Sequence, residues 1–150
     1  MKTTILTAFL TLLVATSSQA GEGMINTESA FSVKETADRL ESTLKEKGMT
    51  VFNRINHAQG AEKVNIKLRG TELIIFGNPK VGSPLMLCQQ SVAIDLPQKM
   101  LVWQAEDSKV WLSYNDPSYL VQRHDIKGCE QEIATVAKAL AGISKSVATK

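Results

Sequence analysis

The stretch MLVWQAEDSKVWLSYNDPSYLVQRH, Met100 to His124, decides the fold. Its two apolar runs, Met100-Leu101-Val102-Trp103 and Val110-Trp111-Leu112-Ser113-Tyr114, are rich in the β-branched and aromatic residues that suit a pleated surface. Glu106-Asp107-Ser108 between them supplies turn chemistry, so the pair reads as a hairpin. Being the most apolar strands, its arms belong at the centre of a sheet. Asp116 can then cap a helix whose first position Pro117 fills without losing a hydrogen bond, and His124 ends it.

Upstream, Ser83-Pro84 starts a short helix carrying Leu85, Met86 and Cys88, which must be over by Asp95-Leu96-Pro97, because a residue before proline avoids helical angles. Thr71 to Phe76 is an apolar strand closed by Gly77-Asn78-Pro79, read as a turn. Thr50 to Asn56 alternates Val51, Asn53 and Ile55 against Phe52 and Arg54. It forms a strand with His57 at its exit and a short helical or looped piece running to Val64. Before it, Ser32 and Glu35 make a capping box. Val33, Ala37, Leu40 and Leu44 then form one helical stripe, opposite Lys34, Asp38, Glu41 and Lys45. Lys45, Lys47 and Gly48 close that helix. Met24 to Thr27 is the first strand.

Downstream, Cys129 to Val147 sets Ile133, Val136, Ala137, Leu140 and Ile143 along one face of a second long helix. With no internal repeat and no flexible linker, residues 21–150 form one α+β domain. It has two layers, a mostly antiparallel or mixed sheet under two long helices, with short helices between strands. Met24–Thr27 and Thr50–Asn56 are the expected sheet edges.

Residues 1–20 carry Lys2, an apolar run from Ile5 to Val14, and Ser18-Gln19-Ala20 with small residues where a signal peptidase cuts, the pattern of a secretory signal. The run is shorter than the ~20 residues a membrane span needs, and no cysteine stands at the cleavage point to take a lipid. A periplasmic or secreted protein without a membrane anchor is expected. The formal net charge is +2, and losing the signal removes one lysine and no acid. Basic and acidic residues are interleaved, so the concentrated basic face of a nucleic-acid binder is missing.

These pieces resemble the domain of unknown function 302 family. The resemblance rests on Val33-Lys34-Glu35-Thr36 with Asp38-Arg39-Leu40, His57-Ala58, Thr71-Glu72-Leu73 and Phe76-Gly77-Asn78-Pro79-Lys80. It continues through Pro84-Leu85-Met86, Asp95-Leu96-Pro97 with Lys99, Leu101-Val102-Trp103, Tyr114-Asn115-Asp116-Pro117, Tyr119-Leu120 and Arg123-His124. It implies a compact α+β domain, a homodimer, and no assigned reaction. An unpaired sheet edge, which a second copy could cover, points to a dimer as well. Cys88 and Cys129 lie outside the family pattern.

Chemistry is sparse. The two cysteines lack C-x-x-C spacing and a nearby histidine, so export favours a Cys88–Cys129 disulfide over a redox or zinc motif, the alternative being two buried free thiols. His57 and His124 each sit just past a structural element, where functional groups often emerge. They are candidates for a shared site, with Asn56, Met86, Asp116 and Asp125 as possible metal co-ligands. Otherwise they simply hydrogen-bond at surface or dimer positions. Asn78, Asn115, Asp116 and Arg123, all within matched pieces, complete the candidate ligand-binding set. No G-x-S-x-G elbow is present, no catalytic residue is assigned and no cofactor is expected. The methionines are scattered, which suits packing better than a copper site. Trp103 and Trp111 are expected in the core, or else lining a groove with Tyr114 and Tyr119. The leading expectation is an exported, non-catalytic binding or interaction domain; the alternative is an enzyme or metal-binding protein using His57 and His124.

Overall fold

The computed structural model describes residues 23–150; the expected secretory signal falls outside the described residues. Five antiparallel strands form one sheet in the order β1-β5-β4-β3-β2, with β1 Met24–Ser29, β2 Thr50–Asn56, β3 Thr71–Gly77, β4 Gln98–Gln104 and β5 Val110–Asn115. The helices are α1 Val33–Glu46, α2 His57–Glu62, α3 Pro79–Cys88, α4 Pro117–His124 and α5 Glu130–Ala148, with a 3-10 helix at Gln90–Ile94. The fold is α+β, the hairpin lies inside the sheet, and β1 and β2 are its edges.

Helix ends follow local chemistry. Ser32 Oγ accepts the Glu35 N–H at 3.2 Å, giving the serine half of the capping box. At the other end of α1, Gly48 takes φ +70, and the N–H groups of Gly48 and Met49 donate to the carbonyls of Lys45 and Leu44, the paired bonds of a Schellman motif. Asp116 Oδ1 accepts the Ser118 N–H at 2.8 Å to start α4. One boundary differs from expectation: α3 begins at Pro79, not at Ser83-Pro84. Asn78 Oδ1 accepts the Lys80 N–H at 2.9 Å, so Asn78-Pro79 is an N-cap followed by a first-position proline, where a free turn was expected. Pro84 falls inside the helix.

α1 and α5 bury their stripes on one face of the sheet. Ala37, Leu40 and Leu44 from α1 and Val136, Leu140, Ile143 and Val147 from α5 share a core with Ile74, Phe76, Met100, Val102, Leu112 and Tyr114. Arg39 ties the helices together by donating from Nε to the Val147 carbonyl at 3.0 Å and from a terminal nitrogen to that of Thr149 at 2.9 Å, so it caps the end of α5. Cys88 and Cys129 lie at disulfide distance, their Cα atoms 6.4 Å apart, joining the end of α3 to the start of α5.

The opposite face of the sheet carries Ile55, Leu73, Ile75, Leu101, Trp103 and Trp111, all only partly buried. Trp103 and Trp111 are therefore outside the core, contrary to expectation, and pair across β4 and β5. The aromatic groove does not form either. Tyr114 stands an odd number of residues from Trp111, so the pleat sends it to the helix-covered face, where it is buried. A bulge at Phe52 also breaks the expected alternation of β2: Val51 pairs with Phe76 on the covered face, whereas Ile55 pairs with Leu73 on the open one.

Candidate functional site

A cavity of about 280 Å³ opens where β3 leaves the sheet and α3 passes beneath α5. Three segments build it. Asn78-Pro79 turns the chain from β3 into α3, which brings Val81, Leu85 and Met86 inward. The 3-10 helix and Pro97, behind a cis Leu96–Pro97 peptide bond, close a second side with Ala93 and Leu96. α5 supplies Val136, Ala139 and Leu140, and the bulged Phe52 stands at the rim, half exposed. Among the described residues, Asn78, Ser83 and Gln98 are the polar lining residues and no charged side chain lines the cavity. Asn78 is already committed, its amide nitrogen donating to the Gly48 carbonyl at 3.3 Å.

Next to the 3-10 helix lies a polar cluster. His124, at the end of α4, inserts its ring between two residues of that turn: Nδ1 lies 3.0 Å from Ser91 Oγ and Nε2 2.6 Å from Asp95 Oδ2. The imidazole is 6% exposed and the Asp95 carboxylate 13%. Arg123 reaches the other Asp95 oxygen at 3.3 Å, and the Gln89 side chain donates to the His124 carbonyl at 3.2 Å.

The remaining candidates are dispersed. His57 is exposed at the first position of α2, which Asn56 caps through the Gln59 N–H at 2.8 Å. It follows the residue paired with Glu72, itself paired with Val102, whereas His124 binds Asp95 just before β4 begins. Roughly 14 Å of strand, at about 3.4 Å per residue, thus separates the two ends. The histidines do not share a site. Asn115 is exposed at the end of β5, Asp116 is spent on capping α4, and Asp125 closes α4 in the left-handed conformation, paired at the surface with Lys127. Met86 lines the cavity, away from both histidines. Among the described residues no three His, Cys, Asp or Glu side chains gather to hold a metal. Sequence reasoning found His124 and Arg123 but missed Ser91 and Asp95. In the sequence Asp95 marks only the end of a helix before Pro97, and the one available signal is its four-residue spacing from Ser91.

Together these features define a two-layer α+β domain with helices on one face of an antiparallel sheet. The chain belongs to the family described as Domain of unknown function DUF302, whose model matches residues 25–147. A crystal structure of an uncharacterized conserved DUF302 protein from Bacillus stearothermophilus shares the fold, with a TM-score of 0.75 at 19% identity over 83% of this chain and 98% of the other. In sequence, the chain is similar to Fluoride-specific ion channel FluC 1 of Brucella suis biovar 1 (strain 1330), 43% identical over 115 residues, 77% of this chain and 45% of the relative. Fluoride-specific ion channel FluC 1 of Brucella abortus biovar 1 (strain 9-941) matches at the same identity over 42% of its length. The chain spans less than half of these relatives.

Proposed function

We propose that this chain is an exported domain that binds a small, uncharged, apolar ligand in the cavity under α3, and that it works as a homodimer through the open face of the sheet. One observation carries the ligand class: among the described residues the cavity is lined by apolar side chains with three polar neighbours and no charge. An ionised group placed there would lose its hydration without gaining a partner, at a cost of several kcal/mol, so neutral molecules are favoured. A volume of about 280 Å³ is near the lower end for a small-molecule pocket and fits a compact ring system or short chain. Export rests on the pattern of residues 1–20, and the dimer on the apolar residues of the open face. The test is titration with the neutral dye N-phenyl-1-naphthylamine. Saturable fluorescence enhancement that disappears in Ala139→Phe, whose ring would fill the cavity, supports the reading. Unsaturable binding, or equal binding by the variant, overturns it.

The name of the Brucella relatives favours a second reading, in which the chain works alongside a fluoride channel. Among the described residues no helix is long and apolar enough to cross a membrane. In this reading the chain supplies an accessory module for a separate channel subunit. Recovery of the two in one complex after mild detergent extraction would support it, and separate migration at native expression levels counts against it.

A further inference from the structure

We propose that Ser91, His124 and Asp95 form an acyl-transfer site that hydrolyses small carboxylic esters, with Ser91 as nucleophile, His124 as general base and Asp95 holding the imidazole. The ligand-binding reading makes no use of this cluster. Its geometry is that of a relay. The Ser91 hydroxyl lies 3.0 Å from His124 Nδ1, and His124 Nε2 lies 2.6 Å from Asp95 Oδ2. A carboxylate can only accept, so the Asp95 contact places the ring hydrogen on Nε2 and leaves Nδ1 with a lone pair facing the Ser91 O–H. That tautomer is the one a base acting on Ser91 requires. Compared with the familiar serine–histidine–aspartate triad, the two ring nitrogens exchange roles, and such triads are recognised by geometry and role.

Exposure is divided as catalysis needs. The imidazole is almost wholly shielded at 6% exposure, while Ser91 is exposed and can meet a substrate from solution. The ring is held from several sides. Ser91 and Asp95 stand four residues apart on one turn, Gln89 fixes the His124 carbonyl, and Arg123 holds the second Asp95 oxygen while bringing a half-exposed positive charge to the same surface. Both ring nitrogens are engaged, Nε2 by a carboxylate that can only accept and Nδ1 by a hydroxyl that is able to donate.

The reaction balances with water as the only co-reactant. Ser91 Oγ bonds to the ester carbonyl carbon as its proton passes to Nδ1, and the carbonyl π pair moves onto oxygen. When that pair returns, the bond from carbon to the alcohol oxygen breaks, and the alcohol leaves with the proton from Nδ1. Water then adds to the acyl-serine, giving a proton to Nδ1, and Ser91 Oγ departs with that proton as the acid is released. Ala93 and Leu96, in and just after the same turn, line the apolar cavity, so esters of short apolar acids are preferred. That preference rests on the ligand-binding reading, whereas the reaction itself does not.

The test uses the purified protein, a fluorophosphonate probe and two chromogenic esters, p-nitrophenyl acetate and hexanoate. The expected result is a probe adduct mapped to Ser91 by peptide mass. It should be absent in Ser91→Ala and form roughly 100-fold more slowly in His124→Gln, the scale of a lost general base. Should His124→Gln fail to fold, Asp95→Asn decides: slower labelling of Ser91 in that variant supports the site. No adduct on Ser91 where a known serine hydrolase is labelled, or equal labelling of folded His124→Gln or of folded Asp95→Asn, overturns it. Acetate hydrolysis lost in Ser91→Ala, with no preference for hexanoate, upholds the reaction and removes only the link to the cavity.

Discussion

Successive residues of β4 meet different surroundings. Met100 and Val102 are completely buried under the helices, while Leu101 and Trp103 look out, half buried, from the other side. β3 repeats the contrast with Ile74 and Phe76 against Leu73 and Ile75, and β5 with Leu112 against Trp111. An antiparallel sheet with one face in water usually alternates apolar with polar residues. Here both sets are mainly apolar through the centre of the sheet, with Ser113 beside Leu101 on the open face and Glu72 beside Val102 on the covered one, so alternation alone cannot tell covered from uncovered. The helices satisfy one face. The other presents an apolar surface of the kind that marks a contact with another molecule.

The first way to break this comparison is to truncate matched positions on the two faces. Phe76→Ala on the covered face should cost about 3–5 kcal/mol in urea denaturation, since it leaves a cavity in a packed core. Leu101→Ala on the open face should cost well under half of that at protein concentrations where the chain is monomeric. Equal losses would mean that both faces are covered within one chain. Next in size is the Cys88–Cys129 pair, which stands at disulfide distance between the end of α3 and the start of α5. Its two cysteines are 41 residues apart, and replacing both with serine should lower stability by roughly 2–4 kcal/mol while leaving far-UV circular dichroism native. Free-thiol titration of the unfolded, unreduced protein should find no thiol; two thiols per chain would refute the pairing.

The open face has its own test, in association. Sedimentation at micromolar concentration should report twice the chain mass, and Leu101→Asp should return it to a single chain with little change in the unfolding of the monomer. Val51→Asp and Ile55→Asp sharpen the contrast, because the β2 bulge places them on opposite faces. Ile55→Asp should weaken the dimer, whereas Val51→Asp should destabilise the fold. If β2 were instead the contact through its edge, either change would dissociate it.

The helices, their stripes and the central hairpin were legible because each depends on residues close in sequence: Ser32 at a cap, Gly48 beyond a helix end, Asp116-Pro117 at a start. What escaped depends on register. Trp103 and Trp111 look like core residues by type, and only the pairing of strands across the sheet decides which face they occupy. The bulge at Phe52 was equally hidden, since it shifts the later residues of β2 without changing their composition. Of the polar cluster, His124 and Arg123 were visible as the end of a helix. Ser91 and Asp95 come from a turn whose chemistry appears only when α4 docks against it, and the cavity draws its walls from segments far apart in sequence, from Met49 to Ile143.

The smallest expected effect lies at the edge of the covered face, where the apolar pattern gives way to charge. Arg54 on β2 donates to Glu72 at 2.6 Å and to Asp38 on α1 at 2.7 Å, and lies 3.4 Å from Glu41, so one guanidinium joins the sheet edge to the helix. Hydrogen bonds from Lys34 and then Arg54 hold the Asp38 carboxyl below its usual range, and Lys45, followed by Arg54, does the same for Glu41. The sign follows from linkage: a carboxyl more acidic in the folded chain than in the unfolded one contributes stability that is fully present above about pH 4 and is lost as pH falls through its folded value. Asp38 is nearly half exposed, so solvent screens the interaction and the contribution is small. Melting temperature followed from pH 6 down to pH 2 should therefore fall less steeply in Asp38→Asn than in the parent, with the two curves converging at the acid end. Salt should narrow the gap between them at neutral pH. Parallel curves across the whole range would mean that Asp38 is not a working part of the ionic edge, and that the helix is held to the sheet there by packing alone.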